Sequence, residues 1–324
     1  MRAIRINGKV CASTAPVDLR LQRLLGHVPG LLHGNVESAL VIGLGTGMTA
    51  GSLLDLPTLQ HLEVVEISTA VRSAARCFDP WTGGLFDDPR THVRIGDGRH
   101  FLLIDDARYD LLTSDPIHPW TRGSSDLYAL EHFGRMASHL APGGIASQWL
   151  PLYQLSLEDV QTVVATWCAA FPGTAAWLTA YDLALIGWNE PPAGLAGWLE
   201  RPFPPRVAAG LAQAGIESVT DLAALQVAGD AELRAFAGDT RPMTEDRPTL
   251  EFNAPKSFLK GYSVEALRWA GRPEYVMELP EAARPRARLV RAALAGFLER
   301  LPAGMSEAAR IYGEELLRLG PRDG

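Results

Sequence analysis

Ala39-Leu-Val-Ile-Gly-Leu-Gly-Thr-Gly47 and Leu62-Glu-Val-Val-Glu-Ile67 are the stretches that decide the fold. Residues 39–42 form a short continuous apolar run, the signature of a strand buried on both faces. Glycines follow at 43, 45 and 47, and then a predicted helix over 48–55. Glycine at such a turn permits φ > 0 and lets a nucleotide approach the backbone closely. A plain strand–helix turn uses the same residues, so the loop alone does not specify a ligand. Glu66 ends the second predicted strand, 23 residues after Gly43. A carboxylate about 20 residues beyond a glycine loop is placed to accept hydrogen bonds from ribose hydroxyls. Its plain alternative is a solvated strand end.

Working outward, Val93-Arg-Ile95, Tyr109–Ser114 and Gly144–Gln148 read as three further strands, with helical patterns between them, including 69–78 and 126–140. The alternation predicts an α/β domain, a Rossmann-like sheet of parallel strands with helices on both faces. Upstream, residues 4–10 alternate around Asn7-Gly8 and predict a short N-terminal β-hairpin. Residues 17–33 predict a helix. Prolines at 191, 192, 202, 204 and 205 mark a change of character, after which 206–214, 220–236 and 281–300 read as a mainly helical C-terminal extension. The expected division is 1–34 (hairpin and first helix), 35–190 (Rossmann-like nucleoside-binding catalytic domain) and 191–324 (helical region).

Composition sets the broad class. Of 324 residues, 47% are apolar and 21% charged, ordinary for a globular protein. The net charge of −7 argues against a nucleic-acid partner. Cys11, Cys77 and Cys168 form no CxxC pair, so neither a zinc site nor a disulfide framework is expected. The N-terminus has no apolar signal region. The most apolar stretch, Ala39–Leu54, is broken by four glycines and falls short of a bilayer span. A cytoplasmic chain with no membrane span and no metal is the expectation.

Gly96-Asp97-Gly98 follows the third strand and Asp115-Pro116 the fourth. Gly43, Glu66, Asp97 and Asp115 therefore all fall at carboxyl ends of strands, the edge where open α/β sheets bind ligands. Asp97 is placed to accept from an adenine amino group. The set points to a sulfonium nucleoside, S-adenosylmethionine or a close relative.

Residues 4 to about 172 resemble the spermidine synthases, the polyamine aminopropyltransferases. The matching pieces are Asn7-Gly-Lys9, Val41–Gly47, Val64–Ile67, Asp87-Asp-Pro-Arg90, Ile95–Gly98, Tyr109-Asp110 with Asp115, Leu127-Tyr128 and Leu140–Gly144. Asp115–Trp120, Gln148–Tyr153 and Thr244–Pro248 are similar to a bacterial group often fused to a membrane transporter; no membrane portion is present in this sequence. The resemblance implies that Gly43, Gly45, Thr46, Gly47, Glu66 with Ile67, Asp97 and Gly98 hold the nucleoside. It implies that Gln22 sits at the matching position of the first helix and that Asp115 orients or deprotonates an attacking amine. The donor is S-adenosylmethionine or its decarboxylated form. A homodimer is in keeping with the family.

Departures from the pattern shift the acceptor. The family has Asp where this loop has Thr46, which removes the partner of the aminopropyl amine. It has a second Asp at the position of His118, and a tyrosine at the position of Leu21. Upstream strands of its N-terminal β-domain are missing. These changes argue against putrescine as the small-molecule acceptor. His118, Trp120, Asp126, Gln148, Trp149 and Tyr153 are candidates to line a different pocket, although Trp149 and Tyr153 read more readily as core aromatics and His118 reads equally as a structural hydrogen-bonding residue. The leading expectation is a transferase that moves an aminopropyl-type group to an amine or another nucleophile. Alternatives are a methyltransferase, favoured by Thr46, and a catalytically silent nucleoside-binding protein. A dehydrogenase is disfavoured by Met48, where the fuller Gly-x-Gly-x-x-Gly pattern has glycine.

Overall fold

The computed structural model describes residues 1–6, 8–121, 123–259, 265–272, 279–300, 311–312, 314–316 and 318. Its centre is an eight-stranded sheet in the order β10-β8-β9-β7-β6-β3-β4-β5. The strands are β3 (Ser38–Ile42), β4 (His61–Glu66), β5 (Thr91–Ile95), β6 (Tyr109–Ser114), β7 (Leu140–Pro151), β8 (Gly173–Leu178), β9 (Asp182–Trp188) and β10 (Gln226–Ala228). β5, β4, β3, β6 and β7 are parallel neighbours. The apolar run of β3 is buried, with Ala39, Leu40 and Val41 fully enclosed, as expected for a strand covered on both faces.

Two helical layers do the covering. On one face α1 (Pro16–His33) packs against β6, β7 and β9 and alongside α2 (Met48–Leu54). On the other lie α5 (Gly98–Ile104), α6 (Leu130–Ser138) and α7 (Leu157–Ala170). The short helices α3 (Thr69–Ala75) and α4 (Asp79–Thr82) fill the crossover from β4 to β5. The hairpin β1 (Ala3–Ile6) and β2 (Lys9–Ser13) stands apart as a two-stranded sheet. Asn7 of its expected turn lies outside the described residues.

Three local expectations are corrected. The sheet is mixed: β9 runs antiparallel to β7, and β8 and β10 extend the antiparallel edge. Short runs such as Thr174–Leu178 carry no period that separates strand from helix. The single helix expected over 220–236 is two, α9 (Val219–Ala223) and α10 (Asp230–Ala237), because Gln226–Ala228 pairs with β8. The helix expected over 126–140 divides at Ala129, which is extended (φ −80°, ψ 155°), while Leu130 N–H donates to the Met243 carbonyl at 2.9 Å. A tertiary hydrogen bond overrides the helical pattern there. The C-terminal region continues with α8 (Pro205–Ala212), α11 (Thr249–Leu259), α12 (Glu265–Ala270) and α13 (Arg284–Arg300). Among the described residues no helix is long and apolar enough to cross a membrane.

Candidate functional site

β3 and β6 are sheet neighbours, but their following helices leave to opposite faces. Such a switch opens a crevice at the carboxyl ends of the strands. Two segments meet there. Gly43 N–H donates to the Val65 carbonyl at 2.9 Å, and Asp115 N–H donates to the Ile42 carbonyl at 3.0 Å. Gly43, Gly45 and Gly47 all take left-handed φ (91°, 52° and 82°). At Gly43 a Cβ would lie 2.6 Å from the Asp115 carbonyl oxygen, so glycine is required by the approach of the two segments as well as by φ.

The crevice is a cavity of about 680 Å³. Its lining includes Gln22, Gly43, Gly45, Thr46, Glu66, Ile67, Asp97, Gly98 and Asp115, with the hairpin residues Ile4, Ile6, Cys11 and Ala12 as a roof. The structure thus brings together most of the residues singled out in the sequence. Gly47 is not on the wall: it precedes α2 and packs toward Leu85 and Thr82.

Glu66 is buried and accepts from Leu44 N–H (2.9 Å) and Ser68 N–H (2.8 Å). These bonds fix the carboxylate without exhausting its four lone-pair positions. Asp97 caps α5 by accepting from Arg99 N–H at 2.8 Å. Burial works against its charge, yet the Arg99 guanidinium and backbone outweigh burial and hold the carboxyl below its usual range. Thr46 donates its hydroxyl to Gln22 Oε1, and Gln22 Nε2 donates to the Ser13 and Asp18 carbonyls. The Thr46–Gln22 pair gives this corner of the cavity no charge of its own. Ile67 is strongly exposed and presents an apolar surface at the mouth.

Asp115, half-buried at the cavity floor, accepts from the Thr49 hydroxyl at 2.7 Å. Burial raises its pKa to about 6; the Thr49 bond pulls it back, and the nearby Asp18 carboxylate pushes it further up. A carboxylate so placed is poised as a base near neutral pH.

Beyond Asp115 the expected acceptor residues divide. His118, Trp120 and Tyr153 cluster just outside the cavity lining: His118 lies 4.8 Å from Trp120 between ring centres, and its Nε2 is 3.3 Å from the Tyr153 hydroxyl. Burial, with Lys9 nearby, lowers the His118 pKa to about 3, so the ring is neutral. The Lys9 ammonium sits 4.3 Å from the centre of the Trp120 ring. Trp149 is buried and donates Nε1–H to Asp182 at 2.9 Å. Asp126 points elsewhere, into an ion pair with Arg99 that anchors the Asp97 side of the pocket. Gln148 is fully buried and is bonded to its own chain through the Trp149 carbonyl.

Sequence reading missed Thr49, Arg99, Asp18 and Asp182. Thr49 and Arg99 lie two residues after Gly47 and Asp97, a spacing that could have drawn attention to them. Nothing in the sequence signals Asp182, which reaches the sheet edge through an antiparallel strand. Among the described residues no group of His, Cys, Asp or Glu is arranged to hold a metal.

Residues 19–181, half of the chain, match the spermine/spermidine synthase domain. The chain belongs to the spermine/spermidine synthase family. Its relatives in that family include transferases of two kinds. It is 31% identical over 172 residues to putrescine N-methyltransferase 2 of Nicotiana tabacum, covering 51% of this chain and 46% of that protein. It is 32% identical over 183 residues to the polyamine aminopropyltransferase of Nitrosomonas europaea, covering 53% and 55%. The chain thus spans about half the length of the relatives it matches. The crystal structure of spermidine synthase from Thermotoga maritima superposes with a TM-score of 0.50 at 17% identity, over 80% of each chain, a likeness of fold.

Glu66→Ala is expected to weaken nucleoside binding by about 1–3 kcal/mol, the range for losing a charged hydrogen-bond partner. Calorimetry with methylthioadenosine checks it, and an unchanged Kd removes Glu66 from nucleoside recognition.

Proposed function

We propose that this chain transfers an alkyl group from a sulfonium nucleoside to an amine, with Asp115 as the base. The observation that carries the proposal is the meeting of Asp115 with the glycine loop in one cavity that also holds Glu66 and Asp97. The cavity fits such a donor: Asp97 for adenine, Glu66 for ribose, and the Gly43 and Gly45 backbone for close approach. In this reading residues 35–190 carry catalysis, the hairpin within 1–34 roofs the site, and the described part of 191–324 extends the sheet edge through β10.

The chemistry asks little of the protein beyond alignment and a proton acceptor. Asp115 takes a proton from the acceptor ammonium and frees the nitrogen lone pair. That pair attacks the carbon bonded to sulfur. The carbon–sulfur pair returns to sulfur, which leaves as a neutral thioether. The transferred group is of the aminopropyl type, and neutral His118 argues that the acceptor is not held as putrescine would be by a second carboxylate.

A second reading, methyl transfer from S-adenosylmethionine, is favoured by the uncharged Thr46–Gln22 corner, which offers no carboxylate to a decarboxylated donor. Mass spectrometry decides between them when both donors are offered with a panel of amines. Methylthioadenosine marks aminopropyl-type transfer and S-adenosylhomocysteine marks methyl transfer. Release of neither overturns the transferase assignment in favour of a silent nucleoside-binding protein.

A base titrating at about 6 gives a pH dependence of definite sign. Asp115 acts as the carboxylate, so kcat/KM should fall as pH drops through about 6, about tenfold for each further pH unit. The acceptor amine titrates separately near 10. A flat kcat/KM between pH 5 and 7 would contradict the assignment.

A further inference from the structure

Asp115 is fixed from two sides. Its backbone is tied to the end of β3, through the N–H bond to Ile42 and the packing of its carbonyl against Gly43. Its side chain is tied to α2 by Thr49. We propose that Thr49 is a positioning residue, which aims the Asp115 carboxylate at the acceptor and links that aim to the donor loop. The proposal rests on the reading of Asp115 as the base.

Thr49 is 2% exposed and makes one direct contact with the chemistry, Oγ1–H donating to Asp115 Oδ2 at 2.7 Å. A hydroxyl carries a single proton, so this bond commits Thr49 as a donor. It occupies one carboxylate oxygen and fixes the plane of the group, which leaves Oδ1 to serve the acceptor. Without it the side chain could rotate about χ2, a broad torsion for Asp.

The link to the donor follows from the chain path. α2 starts at the end of the glycine loop, and Gly51 N–H donates to the Gly47 carbonyl at 2.8 Å, so loop and first turn form one piece. Gly43, at the other end of that loop, bears on the Asp115 carbonyl. A nucleoside seated against Gly43 and Gly45 therefore presses on the same segment that carries Thr49.

Three influences act on the Asp115 carboxyl with opposing effects. Burial and the Asp18 carboxylate favour the protonated acid, whereas the Thr49 hydroxyl favours the charged form that catalysis needs. A purely structural threonine would pack α2 but would leave the titration of Asp115 where it is.

Thr49→Val keeps the β-branched shape and removes only the hydroxyl. It is expected to move the Asp115 titration up by about one to two pH units, the scale of a hydrogen bond to a charged group. The acid limb of kcat/KM should move with it, turnover at pH 7 should fall about two- to tenfold, and the Kd for methylthioadenosine should hold within about twofold. Thr49→Ser should restore the wild-type profile. Carboxyl carbon NMR of Asp115, with methylthioadenosine bound, reads the titration without turnover. A failed base assignment, seen as turnover retained in Asp115→Asn, is thereby told apart from a failed contact. An Asp115 midpoint equal in Thr49→Val and wild type overturns the proposal, as does a Thr49→Ser profile matching that of Thr49→Val. Thr49→Ala, which cannot overfill the site, serves for the same comparison if the valine variant folds poorly.

Discussion

Asp115→Asn is expected to lower kcat by about 10²–10⁴-fold, the range for loss of a general base, and to leave nucleoside affinity unchanged. Asparagine preserves shape and can still accept from Thr49, so the loop and cavity are maintained. What disappears is the ability to take a proton from the acceptor. Single-turnover release of the thioether nucleoside measures the loss, and calorimetry measures donor binding. The two readouts must separate. Turnover within about tenfold of wild type excludes Asp115 as the base, and a parallel collapse of binding places Asp115 in donor recognition instead.

Gly43→Ala has an even broader effect, on both donor binding and the base. At φ 91° an alanine is strained whatever its surroundings, at a cost of about 1–3 kcal/mol. Its Cβ would also lie 2.6 Å from the Asp115 carbonyl oxygen, a backbone atom that moves only if β6 gives way. The expected outcome is a lower melting temperature, loss of measurable nucleoside binding and loss of turnover together. Gly96→Ala is the internal control, since among the described residues nothing beyond its chain neighbours lies within 4 Å of the position its Cβ would take and its φ is not left-handed. It should melt within a degree or two of wild type. If Gly43→Ala binds methylthioadenosine normally, the close approach of loop and base is not a requirement of the site.

Much of this site is legible in the sequence because it is built from strand ends. In a parallel α/β sheet, each residue that terminates a strand faces the same edge, so Gly43, Glu66, Asp97 and Asp115 can be grouped without coordinates. The apolar run of β3 and the alternation with helices point to the class of fold for the same reason: burial on both faces leaves an unmistakable composition. Residues off those strand ends are harder to place. The sequence puts Asp126 in the acceptor pocket, but it pairs with Arg99, a partnership set by where α5 ends up beside the turn at 125–128. His118, Trp120 and Tyr153 do group with one another, but their ring contacts lie outside the cavity lining.

A glycine loop followed by acidic strand ends is written in the order of residues alone, and with it the kind of ligand to look for, since both depend on local geometry. That Thr49 holds the Asp115 carboxylate, that Gln22 closes off Thr46, and that β8, β9 and β10 extend the sheet antiparallel follows from the folded chain alone. These are contacts between segments 24 to 66 residues apart, or pairings of short strands without a distinctive period. Their partners are chosen by packing, so no local pattern records them.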